Sequence, residues 1–159
     1  MMAVLAMQCG GLVHLGTVCT SFVFINAGTH RRSRVQPLGR QDLVHVALGN
    51  ILASRSSLLA WLAWGMGGLF VLEQPRSSIM VELPSWQALI AYFAHYVQRP
   101  LKLNSVSMGA FRAPTLKPTA LYSNEDLSFL MDVPVPPKHL RPPVEKAVAK
   151  RQLGHHTHI

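Results

Sequence analysis

Acidic residues are scarce in this chain: 7 Asp and Glu stand against 15 Lys and Arg in 159 residues, leaving a formal net charge of +8. That imbalance points to phosphate-bearing or other anionic partners. Charge of either sign is low, at 14%, against roughly 25% in an ordinary soluble domain. Hydrophobic residues reach 49%, so the chain buries much of itself or meets lipid. Two cysteines, Cys9 and Cys19, are too few for the disulfide framework of a small secreted protein, and a reducing compartment is expected. The first residues lack the basic region and clear cleavage site of a secretory signal, and no internal repeat is visible. The length suits one hydrophobic core.

Punctuation along the chain divides it into elements. Residues 11–19 read as a largely buried strand ending near Cys19, and residues 26–40, with Gly28, Pro37, Gly39 and the cluster His30-Arg31-Arg32-Ser33-Arg34, read as a loop. Asp42 is placed to cap a long helix in which Leu43, Ala47, Ile51, Leu58 and Leu62 recur turn by turn until Gly65. The apolar run 69–72 then reads as a second buried strand. Strand, helix and strand make a right-handed βαβ unit whose parallel strands bring Cys19 and Glu73 to one edge. Ser85 is placed to cap a second helix with Trp86, Leu89, Ile90, Phe93 and Val97 on its apolar face, stopped by Pro100. Residues 101–108 suggest another strand, and Ser123 with Asp126 a capping box before Leu127, Phe129, Leu130 and Met131. The expected fold is α/β, a partial Rossmann-like parallel sheet with a long crossover helix over residues 1–132, followed by a disordered basic tail. That tail, residues 133–159, is rich in proline and basic side chains.

Ligands of open α/β sheets sit outside the carboxyl ends of strands, which draws attention to Cys19 and Glu73. The run Gly16-Thr17-Val18-Cys19-Thr20-Ser21-Phe22, followed by Asn26-Ala27-Gly28, resembles the catalytic-cysteine loop of DNA (cytosine-5)-methyltransferases, usually Gly-x-Pro-Cys-x-x-Phe-Ser. Glu73-Gln74-Pro75 is similar to that family's Glu-Asn-Val or Glu-Asn-Pro. Residues 112–119, with Lys117-Pro118-Thr119 and then Leu121 and Asn124, resemble a segment of phage-like and mobile-element-associated methyltransferase-like proteins. The resemblance implies that the Cys19 thiolate adds to a flipped cytosine and that Glu73 engages its ring nitrogen, while a methyl group arrives from S-adenosylmethionine. Arg31, Arg32, Arg34, Arg112 and Lys117 would hold nucleic-acid phosphates, and the arginine cluster could fold back to favour the thiolate.

The sequence also departs from the pattern. Val18 stands where the family has proline, and Gln74 and Pro75 alter the residues after the glutamate. Only 18 residues precede Cys19, too few to build the family's glycine-rich cofactor turn. The expectation is therefore a truncated or decayed methyltransferase-like domain, inactive as an isolated chain, intracellular or nuclear. It would bind nucleic acid weakly and electrostatically, and would have no cofactor unless a missing N-terminal half supplies S-adenosylmethionine.

Blander readings stay open. Cys19 reads equally as an inert buried thiol, Glu73 as a turn cap, and the basic loop as a solvated segment. Trp61, Trp64 and Trp86 read as core or interface, and His155, His156 and His158 as a metal tract or simply a polar end. Two further classes are a non-catalytic nucleic-acid-binding module and a small two-span membrane protein. The latter rests on the uncharged stretches 1–29 and 56–72, with Arg31, Arg32, Arg34 and Arg40 in a cytoplasmic loop between them.

Overall fold

The computed structural model describes residues 7–143. It is a mixed α/β structure with four strands, β1 (Leu12–Leu15), β2 (Leu69–Pro75), β3 (Lys102–Ser107) and β4 (Pro118–Ser123), in the sheet order β1-β2-β4-β3. The helices are α1 (Ala27–His30), α2 (Val44–Gly65) and α3 (Pro84–Tyr92), the last continuing into a wide final turn at Phe93–Val97. β1 and β2 pair in parallel, Leu12 opposite Leu69 and Leu15 opposite Leu72, with α2 as their crossover.

The sheet is not all parallel, which corrects the expectation. β4 runs antiparallel to both β2 and β3. The segment between Ser107 and Pro118 is too short for a parallel crossover, so the chain doubles back and inserts its last strand between its neighbours. β4 lacks a clean two-residue hydrophobic alternation and opens with proline, which hid it as a strand. Asn124 extends its hold on β2, accepting from the Phe70 N–H and donating to the Gly68 carbonyl.

The capping expectations also change. Leu43, with extended backbone, occupies the N-cap of α2, while Asp42 forms a two-point ion pair with Arg40 (2.6 and 3.3 Å). Leu83 precedes α3 and Pro84 supplies its first residue, where a missing N–H costs nothing. Ser85 lies inside that first turn instead of capping it, and its carbonyl accepts from the Ser57 hydroxyl on α2. Ser123 and Asp126 each accept from a backbone N–H two residues on, so they make local turns before a short 3-10 segment at Ser128–Leu130.

The buried side of α2 carries Val46, Gly49, Asn50, Ala53, Ser56, Ser57, Ala60 and Ala63. These are mostly small residues at helical spacing, and they let α2 lie close to the sheet and to α3. Trp86 exploits that closeness by donating its indole N–H to the Ala53 carbonyl. The larger Ile51 and Leu58, which recur at turn spacing in the sequence, face outward, Leu58 with 62% exposure. A helix apolar on every side gives no periodic signal of which side is covered.

The main core lies between α2, α3 and one face of the sheet, around Phe22, Phe70, Leu72, Met80, Trp86 and Phe93. The opposite face has a small cluster of Val71, Val106 and Leu121 under Leu127 and Leu130. Of the two uncharged stretches, residues 56–72 divide between the end of α2 and β2, and the described part of 1–29 holds β1 and short helical turns. α2 is long and apolar enough to cross a membrane by length and composition, and 44% of its most apolar window is buried. In the segment assigned to the tail, Lys138–Leu140 forms a 3-10 turn. Of the tail expected to be disordered over residues 133–159, the part from 144 onward, with the histidine tract, lies outside the described residues.

Candidate functional site

The parallel ladder ends at Leu15 and Leu72, and the segments leaving those two residues form the site. After β1 the chain departs from the sheet through Gly16 to Thr20, which ends the predicted strand earlier than Cys19. That loop is tied at both sides. Buried Gln74 donates from Nε2 to the Thr17 carbonyl at 2.9 Å and accepts from the Ser78 hydroxyl at 2.9 Å, while the Thr17 hydroxyl meets that of Ser56 on α2. The Phe22 N–H closes a turn onto the Cys19 carbonyl at 2.8 Å. Gln74 thus ties the cysteine loop to β2.

β2 alternates its side chains between the two faces. Phe70, Leu72 and Gln74 point into the helical side, so Glu73 points to the other face together with Val71. There Glu73 lies between the His14 imidazole (Nε2 to Oε2, 3.4 Å) and the Lys117 ammonium (Nζ to Oε1, 3.8 Å). Cys19 is a half-buried free thiol. Cys19, Glu73 and Lys117 line one hollow of about 290 Å³, whose walls are otherwise Gly16 to Thr20 and Pro75. The structure therefore brings together a thiol, a carboxylate and an ammonium from three distant stretches of sequence.

The arginines divide differently from the sequence reading. Arg32 is not a surface phosphate ligand: it is 4% exposed, with its guanidinium 3.9 Å over the Phe22 ring. It donates to the Pro37 carbonyl, Asn50 Oδ1 (2.7 Å), the Ser21 hydroxyl (3.1 Å) and the Val46 carbonyl (3.0 Å), leaving Nε without a partner. Every acceptor is neutral, and burial lowers the guanidinium to about 10, so it stays charged at neutral pH. Its fork pins the basic loop to α2, a task that planar, five-donor arginine suits better than lysine.

Arg31 and Arg34 are exposed, Arg31 ending α1 in a left-handed conformation and Arg34 standing 3.8 Å from Glu82. Arg112 is also exposed, at a left-handed turn. Neither the arginine cluster nor Arg112 lines the Cys19 hollow, where Lys117 is the cation. The sequence reading missed Gln74, His14 and the buried web of Arg32 with Asn50. The signal for that web was Asn50, a polar amide among the apolar residues of α2. No protein-family model, curated protein or solved structure matches this chain.

Proposed function

We propose that this chain is a methyltransferase-like domain that engages a cytosine of nucleic acid, with Cys19 as nucleophile and Glu73 as the group facing the ring nitrogen. One observation carries this reading. The three stretches that carry the sequence resemblance, around Cys19, Glu73 and Lys117, converge on a single hollow, where the exit of β1, the end of β2 and the start of β4 adjoin. Its volume of about 290 Å³ suits one flipped pyrimidine, not a whole nucleotide chain. In the chemistry that fits, the Cys19 thiolate adds to C6 of the ring while the Glu73 carboxyl gives a proton to N3, and the enamine so formed takes up a proton at C5 from water. Loss of the original C5 proton to water, return of the N3 proton to Glu73 and expulsion of the thiolate then regenerate cytosine.

S-adenosylmethionine, which supplies the methyl group in the family, does not fit the described residues. Its site needs a glycine-rich turn between a strand end and a helix N-terminus. Here only Gly16 follows β1 before the cysteine loop, α1 has four residues, and no glycine lies between β2 and α3. Among the described residues the outer edge of β1 has no strand partner, and Leu12 on it is exposed. A cofactor-bearing half would pair there.

The test needs no cofactor. An oligonucleotide carrying an electrophilic cytosine analogue is expected to form a covalent adduct that survives denaturation, and cytosine C5 hydrogen is expected to exchange with deuterated water. Both should vanish in Cys19→Ala and fall at least ~10-fold in Glu73→Gln. Adducts at Cys9, or none with an otherwise folded protein, would defeat the reading.

A second reading has one observation in its favour: the outward side of α2 presents Val44, Leu48, Ile51, Leu52 and Leu58. Contact of that side with lipid would make the protein insoluble without detergent, whereas the nucleic-acid reading requires a soluble chain.

A further inference from the structure

Val18 and Thr20, on either side of Cys19, also line a second hollow of about 540 Å³, which contains two histidines. His30 closes α1 and is only 6% exposed. Its Nδ1 lies 3.3 Å from the Ser21 carbonyl, which can only accept, so in the neutral ring that nitrogen carries the proton and Nε2 presents a lone pair to the hollow. His45, exposed on the first turn of α2, brings its own Nε2 to 2.9 Å from that lone pair. The ring centres lie 4.7 Å apart with planes at 59°, so the two imidazoles meet at an angle instead of end to end. Among the described residues no Asp, Glu, Lys or Arg lines this hollow.

We propose that His30 and His45 form an open site for one divalent transition metal of the imidazole-preferring class, such as zinc, cobalt, nickel or copper, with water in the remaining positions. Two imidazole nitrogens at 2.0–2.1 Å from a tetrahedral metal stand about 3.3 Å apart. The present 2.9 Å needs only a small outward swing of the exposed His45 ring. A histidine whose second nitrogen is fixed by a backbone carbonyl is already oriented as metal-bound histidines are. Thr20 and Asn26 border the space that water ligands would fill. Magnesium and calcium are excluded by chemistry, since they prefer oxygen donors. Because Ser21 holds His30, a metal here would join the end of α1, the start of α2 and the segment beside Cys19.

The test uses the full chain with His155, His156 and His158 replaced by alanine, so that the terminal imidazoles do not compete. Titration with cobalt, read by visible absorption, and with zinc, read by calorimetry, should show one equivalent bound. Affinity should fall at least ~10-fold in His45→Gln, which keeps a polar partner for His30. Zinc should raise the melting temperature of the parent and leave that of His45→Gln unchanged; His45→Ala, measured alongside, should behave like His45→Gln. Binding that persists in both variants, binding lost instead in His14→Ala, or no saturable binding to the parent would each overturn the proposal.

Discussion

Gln74 sits where β2 passes the cysteine loop, and its amide does two jobs that no apolar residue can do. Replacing it with leucine strands the Thr17 carbonyl and the Ser78 hydroxyl, both of which it now serves. Gln74→Leu is expected to cost about 1–3 kcal/mol in urea unfolding. In a Cys9→Ser background it should also speed the reaction of Cys19 with a thiol reagent, because the loop loses its tether. Arg32 is the second such residue. Arg32→Met fills similar space but leaves Asn50, Ser21 and two carbonyls without their donor, for an expected loss of about 2–4 kcal/mol. Arg32→Lys, unable to fork, should recover only part of it.

α2 separates intrinsic preference from packing. Alanine for glycine inside a helix ordinarily gains up to about 1 kcal/mol. At Gly49, however, a Cβ would lie 2.6 Å from the Ser21 hydroxyl oxygen and 3.4 Å from both Arg32 Nη2 and Phe22 Cε2. Gly49→Ala is therefore expected to destabilise, by roughly 1–3 kcal/mol, and the added substitution Ser21→Ala should not simply add to it. The helix's two sides should respond oppositely to size. Ala60→Leu overpacks a fully buried position and should cost about 1–3 kcal/mol, whereas Leu58→Lys, outward-facing, should change stability by no more than ~0.5 kcal/mol. Thermal unfolding of the pair checks which side of α2 faces the sheet.

If the proposed nucleic-acid reading holds, the basic charge meets phosphates through exposed side chains such as Arg31, Arg34 and Arg112, not through buried Arg32. Nucleic-acid affinity is expected to fall linearly with the logarithm of salt concentration, as released counterions are returned. Replacing Arg31, Arg34 and Arg112 together by glutamine should flatten that slope by roughly 2–3, since each phosphate no longer neutralised removes about 0.9. Filter binding across a salt series measures it, and a slope unchanged by the triple substitution would show that other side chains meet the phosphates.

The order of residues alone dictates the charge balance, the long helix ending at Gly65, the helix stopped before Pro100, and the strand from Leu69 that delivers Glu73. These features come from local chemistry: proline and glycine punctuation and apolar runs of characteristic length. Which side of α2 is covered is settled by packing, since small residues at helical spacing mark the interior only once a sheet lies against them. The same holds for Arg32, whose burial depends on acceptors from four separate positions, and for β4, whose antiparallel insertion reflects how short its approach is. It holds most for Lys117, which joins Cys19 and Glu73 at the edge that the βαβ reading already gave them, and for the meeting of His30 with His45, because separation along the chain says nothing of distance until the elements have packed.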